Sequence, residues 1–466
     1  MESNSKFEAQ VYIHRRKVLK EQFTDGLILL MGNNESSMNF RDNWYPFRQD
    51  SSFLYYVGID TPELACVIDL DEDQEIVFGD DLSMDHIIWT GPLPSVADRA
   101  AQVGISQTDS LSALHKYLQT ARQKNRKIRF LPPYRADREE QLHQLLGIPV
   151  SQLNANFSPE LVNAVIAQRS YKSAEEVSQM EQAVNISNEM HRLAIQSARP
   201  GMKEFELVGQ VRGKAISSGG DIAYPIILTI NGQTLHNHYY GNTLSEGDMI
   251  LMDAGSESPL HYAGDLTRTF PVSKKFSSLQ KDMYNIVYTA YQKAVDALHP
   301  GALFRDIHLL ASEELVKGLV GLGIMKGDPK EAVAAGAHTM FFQCGLGHMI
   351  GLDVHDMEDL GEQFVGYSKD LQKSTEFGLK SLRLGKALEP GFTITVEPGI
   401  YIIPELIDRW EADKQYTDFI NYPKLQEIRN FGGIRVEDNF LITDEGSQKL
   451  GHYLPLNADE IEAMRS

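Results

Sequence analysis

The chain has 466 residues, 42% of them hydrophobic and 23% charged, and its 44 lysines and arginines against 64 aspartates and glutamates give a net charge of −20. Nucleic acids and anionic membranes repel so acidic a chain, and no basic patch offsets this repulsion, so we expect neither as a partner. No apolar run approaches the roughly 20 residues that span a bilayer, and two cysteines cannot supply a disulfide framework. We therefore expect a cytoplasmic protein of two or three domains.

The first third of the chain alternates between short strands and helices. Apolar runs bounded by turn residues predict the strands, and apolar residues at helical spacing predict the helices. The predicted strands are 26–31, 65–69 and 75–78, and the predicted helices are 7–22, 110–123 and 138–146. This alternation is typical of an α/β domain.

Aromatic residues cluster in the same third, at Trp44, Tyr45, Phe47, Tyr55 and Tyr56. Large aromatic side chains more often fill a core than bind a ligand, and no catalytic spacing accompanies them. We predict that the cluster packs in the hydrophobic core.

A domain boundary is predicted at residue 172. Ser173 followed by Glu176 matches a capping box, which would start a helix over 174–197, and Pro200-Gly201 is a strong stop signal after it. A second helix is predicted over 203–217. The domains are therefore expected at 1–172 and 173–466.

The same order of elements recurs one hundred residues later. Ser277 followed by Gln280 can cap a helix that ends before Pro300-Gly301, and a helix over 304–320 follows. Pro-Gly ends many helices, so coincidence is possible in principle, but the agreement in order and length favours an internal duplication. Its site would lie where the two halves meet.

Acidic residues occur within the apolar, strand-like segments that follow each copy, at Asp253, Asp265, Glu397 and Glu437. A buried carboxylate is costly unless it is paired, and a single one is usually an ion-paired core acid. Four of them, accompanied by His348 in a glycine-rich turn, favour a metal site instead.

The charge of such a site fixes how many ions it needs. Four carboxylates with a neutral imidazole carry a charge of −4, which two divalent ions balance. A set rich in oxygen, with one nitrogen and no thiolate, suits Mn²⁺, Co²⁺ or Zn²⁺ better than it suits a structural zinc site. We therefore expect two divalent ions, for which Mn²⁺, Co²⁺ and Zn²⁺ are the alternatives.

These segments resemble the pita-bread metallopeptidases, the family of methionine aminopeptidase, aminopeptidase P and prolidase. The matching motifs are Asp253-Ala254-Gly255, Gly264-Asp265-Leu266-Thr267-Arg268-Thr269, Gly347-His348 through His355-Asp356, Val396-Glu397-Pro398-Gly399 and Gly433-Ile434-Arg435-Val436-Glu437-Asp438. The segment Phe47-Arg48-Gln49-Asp50-Ser51-Ser52-Phe53 is similar to the N-terminal domain of aminopeptidase P and prolidase, which methionine aminopeptidase lacks.

The resemblance implies an N-terminal α/β domain and a C-terminal α+β pita-bread catalytic domain with an internal pseudo-two-fold repeat. It also implies roles for the acidic residues. Asp253 would bind one ion, His348 and Glu397 the other, and Asp265 and Glu437 both. Glu397 would also relay a proton from the attacking water to the departing proline nitrogen.

Further roles follow from the same resemblance. His355 and His236 would donate hydrogen bonds to the substrate carbonyl and the tetrahedral intermediate. Arg435 would support the ligands or contact substrate. His238 is either a second substrate contact or a solvated loop histidine, and both alternatives stay open.

Two positions bear on specificity. Arg383, fourteen residues before Glu397, matches the arginine with which prolidase reads a free carboxylate, or it is a solvated surface arginine. Cys344 stands where many relatives carry a histidine, and we do not expect it to be a nucleophile.

The expected function is that of an Xaa-Pro aminopeptidase, which cleaves peptides with proline at the second position. The alternative is prolidase activity, restricted to Xaa-Pro dipeptides. A metal-free hydrolase resembling creatinase is less favoured, because all five metal ligands are present. By analogy with the family, we expect a homo-oligomer, either a dimer or a tetramer.

Overall fold

A computed structural model describes residues 6–465 of the chain. The chain divides into two compact units. The first is Met1–Arg169 with Asp359–Phe364, and the second is Ser170–Glu358 with Val365–Ser466. This two-domain α/β architecture confirms the predicted fold class. No helix within residues 6–465 is both long enough and apolar enough to cross a membrane.

The first unit contains a five-stranded sheet in the order β4-β3-β2-β1-β5. Its elements are α1 (Ala9–Lys20), β1 (Leu27–Met31), α2 (Ser51–Tyr56), β2 (Ala65–Asp69), β3 (Gln74–Phe78), α3 (Met84–Thr90), α4 (Val96–Ala101), β4 (Gln107–Asp109), α5 (Leu111–Gln123), β5 (Ile128–Arg129), α6 (Ala136–Leu146), α7 (Val150–Asn156) and α8 (Pro159–Arg169). The three predicted strands and three predicted helices are confirmed, with their ends within two residues. Apolar side chains of the central strands, including Leu29, Val67 and Phe78, pack against α5 to form the core.

The aromatic cluster is only partly buried. Tyr55 and Tyr56 lie on α2, whose residues are all buried and whose first turn is capped by the Asp50 side chain. Trp44 and Tyr45 precede that helix in an irregular segment and are 39% and 57% exposed. The prediction of core packing is therefore confirmed for the two tyrosines and wrong for Trp44 and Tyr45, because no regular element there turns these side chains towards the sheet.

The helices of the second unit begin as the capping signals predict. Both predicted capping boxes, Ser173 with Glu176 and Ser277 with Gln280, are present. The helices are α9 (Ala174–Ser197), α10 (Glu204–Ser217), α11 (Ser278–Asp296), α12 (Phe304–Gly321), α13 (Pro329–Ala335), α14 (Glu362–Gly366, which begins in the first unit), α15 (Pro404–Ala412), α16 (Tyr422–Glu427) and α17 (Ala458–Met464). Short 3₁₀ turns occupy Ala337–Met340, Glu358–Leu360 and Leu379–Ser381.

The strands of this unit form small antiparallel sheets in the orders β10-β8-β7, β11-β14-β15, β12-β13 and β6-β9. They are β6 (Asp221–Ile222), β7 (Ile227–Thr229), β8 (Met249–Asp253), β9 (Ser256–Glu257), β10 (Thr267–Pro271), β11 (Thr393–Val396), β12 (Gly399–Tyr401), β13 (Gly433–Arg435), β14 (Asp438–Thr443) and β15 (Gly446–Lys449). We call 174–271 the first half of the unit and 278–449 its second half.

The two halves repeat one another in their backbone hydrogen bonds, which confirms the internal duplication. The amide of Gly201 donates to Leu244 and that of Gly301 donates to Leu388, both at 2.8 Å. Both glycines have a positive φ, 90° and 85°, a conformation that glycine adopts without the strain of a side chain. In each half, therefore, the turn after the long helix is fastened to the segment that leads into the next strands.

A fully buried arginine lies where the two halves meet. The Arg268 guanidinium donates to the carbonyls of Thr267 and Glu437, at 2.9 and 2.7 Å, and to the Asp438 carboxylate at 3.0 Å. It also donates to the carbonyls of Leu454 and Pro455. One side chain of β10 thus holds the start of β14 and the segment before α17.

Candidate metal centre and active site

All ten residues that the sequence analysis assigns to the site line one cavity of about 220 Å³ in the second unit. They are His236, His238, Asp253, Asp265, His348, His355, Arg383, Glu397, Arg435 and Glu437. Residues as far apart in the sequence as His236 and Glu437 thus face the same space.

Strand register brings the acidic side chains together. Asp253 ends β8 opposite Thr267, the first residue of β10, and Val396 ends β11 opposite Asp438, the first residue of β14. A bridge between Thr267 and Glu437 joins these two strand pairs. Each pair therefore delivers its acids to the same end.

The acids lie at strand ends rather than inside strands. Only Asp253 is a strand residue, while Asp265 precedes β10 and Glu437 lies between β13 and β14. The expectation that these acids lie within strands is wrong for Glu397, because β11 ends at Val396 and Pro398 offers no amide hydrogen for a ladder. Strand ends leave side chains more room to converge than ladder positions do.

A histidine completes the acidic cluster. One ligand atom each of Asp265, His348 and Glu437 lies within 4.8 Å of the other two. The Nε2 atom of His348 is 3.4 Å from both Asp265 Oδ2 and Glu397 Oε1. Its Nδ1 lies 2.9 Å from the Met349 carbonyl, which can only accept, so Nδ1 carries the proton. The Nε2 lone pair therefore faces carboxylate oxygens.

The electrostatics of this cluster require positive charge. Burial raises the pKa of all four carboxyl groups, that of Glu397 to about 8 and that of Glu437 well above its usual range. Burial also lowers the pKa of His348 to about 4, so the imidazole is neutral. The Oε1 atom of Glu437 is buried with no hydrogen-bond partner among the described residues. This donor set fits divalent cations, which would satisfy both the lone pairs and the charge.

Several polar residues that the sequence analysis missed hold the acids in place. The Tyr224 hydroxyl contacts the carboxylates of Asp253, at 2.6 Å, and Asp265. Asn439 both accepts from the Asp265 amide and donates to its carbonyl, at 2.9 and 2.6 Å. Asn439 follows a predicted acid closely in sequence, whereas nothing in the sequence around Tyr224 indicates its role.

Two threonines support the glutamates in the same way. Thr267 Oγ1 donates to Glu437 at 2.6 Å, and Thr395 Oγ1 donates to Glu397 at 3.2 Å. Both threonines lie at or near a strand end next to the cluster. A polar residue at a buried strand position was therefore the sequence signal that could have indicated their role. A hydroxyl donor fixes one oxygen of each glutamate and leaves the other free.

Arg435 is buried among the ligands. Its guanidinium donates to the Asp253 carboxylate, to Thr267 Oγ1 at 3.0 Å and to the Tyr401 hydroxyl at 2.9 Å. Cys344 Sγ lies 3.8 Å from that same hydroxyl, and burial raises the pKa of the thiol to about 12. The thiol is protonated, which agrees with the expectation that Cys344 is not a nucleophile.

The remaining predicted residues lie around the mouth of the cluster. The His355 ring centroid is 4.3 Å from that of His348, and its Nδ1 contacts the Glu358 carboxylate. Arg383 Nε donates to the same carboxylate at 3.2 Å. His236 and His238 are both exposed and both line the cavity, so the structure does not separate the two alternatives for His238.

Comparison with known proteins agrees with this geometry. The model of metallopeptidase family M24 matches residues 178–444, which is more than half of the chain. The chain belongs to metallopeptidase family M24. The model of the aminopeptidase P N-terminal domain matches residues 12–129. The resemblance drawn from the motifs is confirmed, and the M24 family together with the acidic cluster identifies a peptidase that uses divalent metal ions.

Individual M24 relatives match along almost the whole chain. The Xaa-Pro dipeptidase of Homo sapiens is 31% identical over 94% of this chain and 88% of its own length. The Xaa-Pro aminopeptidase of Escherichia coli is 29% identical over 99% of this chain and 98% of its own. The structure of zinc-substituted E. coli aminopeptidase P in complex with product has a TM-score of 0.80 and 28% identity, with coverage of 99% and 98%.

Proposed function

We propose that this M24 peptidase is an Xaa-Pro aminopeptidase, which hydrolyses the bond between an N-terminal residue and a following proline. The observation that carries the proposal is the convergence of four carboxyl groups, three of them on buried residues, and a neutral imidazole in one cavity. The full-length match to an E. coli Xaa-Pro aminopeptidase supports the substrate class.

In this proposal Asp253, Asp265, His348, Glu397 and Glu437 hold two divalent ions, with Mn²⁺ favoured over Co²⁺ and Zn²⁺. When bound, such ions supply Lewis-acid activation of water and of the scissile carbonyl. The structure of zinc-substituted E. coli aminopeptidase P supports the proposal that a site of this kind accepts more than one metal. The creatinase-like alternative predicts that some metal ligands are missing, and it is disfavoured because all five candidate ligands are present.

The protein's own groups manage protons and orientation. Glu397, steadied by Thr395, takes a proton from the attacking water and delivers it to the proline nitrogen. That nitrogen carries no hydrogen in the peptide and must be protonated before it leaves. Arg435 holds the Asp253 carboxylate in position.

Three histidines face the substrate in this scheme. His236 donates a hydrogen bond to the substrate carbonyl, and His355, in the imidazolium form that the Glu358 carboxylate favours, donates from Nε2 to the oxyanion that develops on it. His238 contacts the substrate from the same loop as His236. Their common position on the cavity wall supports these assignments.

The second candidate, an Xaa-Pro dipeptidase, is favoured by Arg383, which lines the cavity where it could bind a free carboxylate. Against it stands Glu358, which already accepts a hydrogen bond from that guanidinium. Steady-state hydrolysis of Xaa-Pro and Xaa-Pro-Yaa-Zaa peptides by the manganese-loaded protein separates the two. We expect turnover of the longer peptide, and its absence alongside dipeptide turnover would establish the dipeptidase.

We also propose a cytoplasmic location, a homodimer or homotetramer, and a domain boundary between residues 172 and 173. Two free cysteines support a reducing compartment. Exposed apolar side chains on α3, Trp89 at 86% and Ile88 at 70%, support burial against another copy. Light scattering of the purified chain measures the oligomeric state.

A further inference from the structure

Glu358 contacts two side chains of the cavity wall without lining the cavity itself. Its Oε2 atom accepts from Arg383 Nε at 3.2 Å and lies against His355 Nδ1. His355 and Arg383 both line the cavity, whereas Glu358 does not. Glu358 is therefore placed to act on a bound peptide through these two neighbours.

The Glu358 side chain is a carboxylate under all working conditions. The hydrogen bond from His355, followed by the charge of Arg383, holds the pKa of Glu358 at about 2 despite partial burial. A carboxylate only accepts hydrogen bonds, so Nδ1 of His355 carries a proton and its Nε2 is the nitrogen that this contact leaves for the cavity. Glu358 thereby fixes the ring orientation of His355.

The same carboxylate opposes the charge of Arg383. An arginine that recognises the free C-terminus of a dipeptide needs its positive charge, because the attraction between unit charges supplies the binding. Glu358 occupies the Nε edge of this guanidinium and cancels much of its charge over the distances at which a substrate would bind. A peptide that ends in a free carboxylate after proline then binds little more tightly than one whose chain continues without a charge at that position.

We propose that Glu358 is a specificity-determining residue that neutralises Arg383, so that the site accepts peptides extending beyond proline. This inference rests on the proposed function and deepens it by naming the length of substrate. Residues 358 and 383 both lie in the segment 322–388, which is longer than the corresponding first-half segment 218–244, so this ion pair belongs to the second half.

A matched pair of substrates, Ala-Pro and Ala-Pro amide, isolates the charge. The two molecules have nearly the same shape, and only the first carries a free carboxylate. The Glu358→Gln variant keeps an oxygen that can accept from Arg383 and His355 but removes the negative charge. We expect its kcat/KM ratio of acid to amide to rise about threefold to tenfold, mainly through a lower KM for the acid.

Three controls assign the effect to Arg383. Glu358→Asp keeps the charge, and its ratio should stay near that of the wild type. Glu358→Gln combined with Arg383→Leu should lose the gain, because the guanidinium that Glu358 neutralises is no longer present. Glu376→Gln, which removes an exposed carboxylate on the same segment, should leave the ratio unchanged.

The inference fails if Glu358→Gln hydrolyses both substrates with the wild-type ratio, or if the double variant keeps the gain. Thermal unfolding identifies a variant that does not fold. If Glu358→Gln does not fold, Glu358→Ala carries the test, because it also removes the negative charge and the same rise in the ratio is expected. A wild-type enzyme that cleaves neither substrate overturns the proposed function instead, so the two failures are distinct.

Discussion

The two halves of the second unit build the same pair of antiparallel strands, and each pair brings two carboxyl groups to one end. The first half joins its strands through the short connection 254–266, and the second through 397–437, which holds β12, α15, α16 and β13. The first half supplies aspartates and the second glutamates. Duplication has therefore kept the backbone frame while the added chain segments diverged.

The halves also differ in how well their acids are satisfied. Asp253 and Asp265 share the Tyr224 hydroxyl, and Asp253 also receives the Arg435 guanidinium. Glu437 receives a threonine hydroxyl on one oxygen only. The two aspartates are therefore better satisfied by the protein's own donors, one of which comes from the second half, whereas Glu437 depends more on cations.

The largest effect is expected from removing one ligand of each half. Asp265→Ala and Glu437→Ala should each lower kcat/KM by about a thousandfold or more, because a site that loses one of its carboxylates would no longer hold the ions that activate water. His348→Ala should behave alike. Circular dichroism should show a retained fold, and metal analysis a loss of bound ions. Near wild-type turnover in any of the three would contradict the ligand assignment.

Removing the metals should make stability fall as pH rises. The folded pKa values of the four carboxyl groups are raised, to about 8 for Glu397, so between pH 5 and 8 the folded chain holds more protons than the unfolded chain. Raising the pH through this window then destabilises the metal-free protein, by up to about 1.4 kcal/mol per pH unit for each group.

Urea unfolding after dialysis against chelator, at several pH values, measures this slope. The metal-loaded protein should have a much smaller slope, and Glu437→Gln should reduce the slope of the metal-free form. A metal-free protein that grows more stable from pH 5 to 8 would show that the carboxyl pKa values are not raised.

A smaller effect is expected from the supporting threonines. Thr267→Val removes a donor to Glu437 and an acceptor for Arg435, whereas Thr395→Val removes a donor to Glu397 and an acceptor for the His348 amide. Each should cost about 1–3 kcal/mol of unfolding free energy, and Thr267→Val more, because it strands a charged partner. Urea titrations measure both losses of unfolding free energy. If Thr267→Val costs no more than Thr395→Val, the expected difference between the two threonines is wrong.

The smallest effect tests what the halves share. Gly201→Ala and Gly301→Ala add a methyl group where no heavy atom lies within 4 Å, so only the positive φ opposes it. Each substitution should lower the free energy of unfolding by about 1–2 kcal/mol, and the two losses should be equal. Costs that differ by more than the error of the unfolding measurement would mean that the two turns are not equivalent.

Many helices and strands of the fold were predictable because the sequence patterns that mark them are local. A capping box, a Pro-Gly stop and a run of apolar residues each lie within a few positions, so the paired helices and the position of Asp253 followed from the sequence. The irregular segment with Trp44 and Tyr45 was misjudged because side-chain chemistry alone does not tell which face of a loop is covered.

The supports of the site were harder to foresee, because they depend on contacts between distant segments. Tyr224 reaches Asp265 across 41 positions, and Arg383 meets Glu358 across 25. A hydroxyl or a carboxylate is unremarkable in its own sequence context, and only the folded chain reveals what it touches. Family motifs indicated the candidate ligands and Arg435, but not the supporting roles of Tyr224, Asn439 and Thr395.

The buried guanidinium of Arg268 also orders events in time. It needs the carbonyls of Leu454 and Pro455 together with the carboxylate of Asp438, and these are synthesised long after β10. Until then the start of β14, next to Glu437, lacks this anchor on the nascent chain. We therefore expect the acidic cluster, and with it peptidase activity, to require the chain through residue 455.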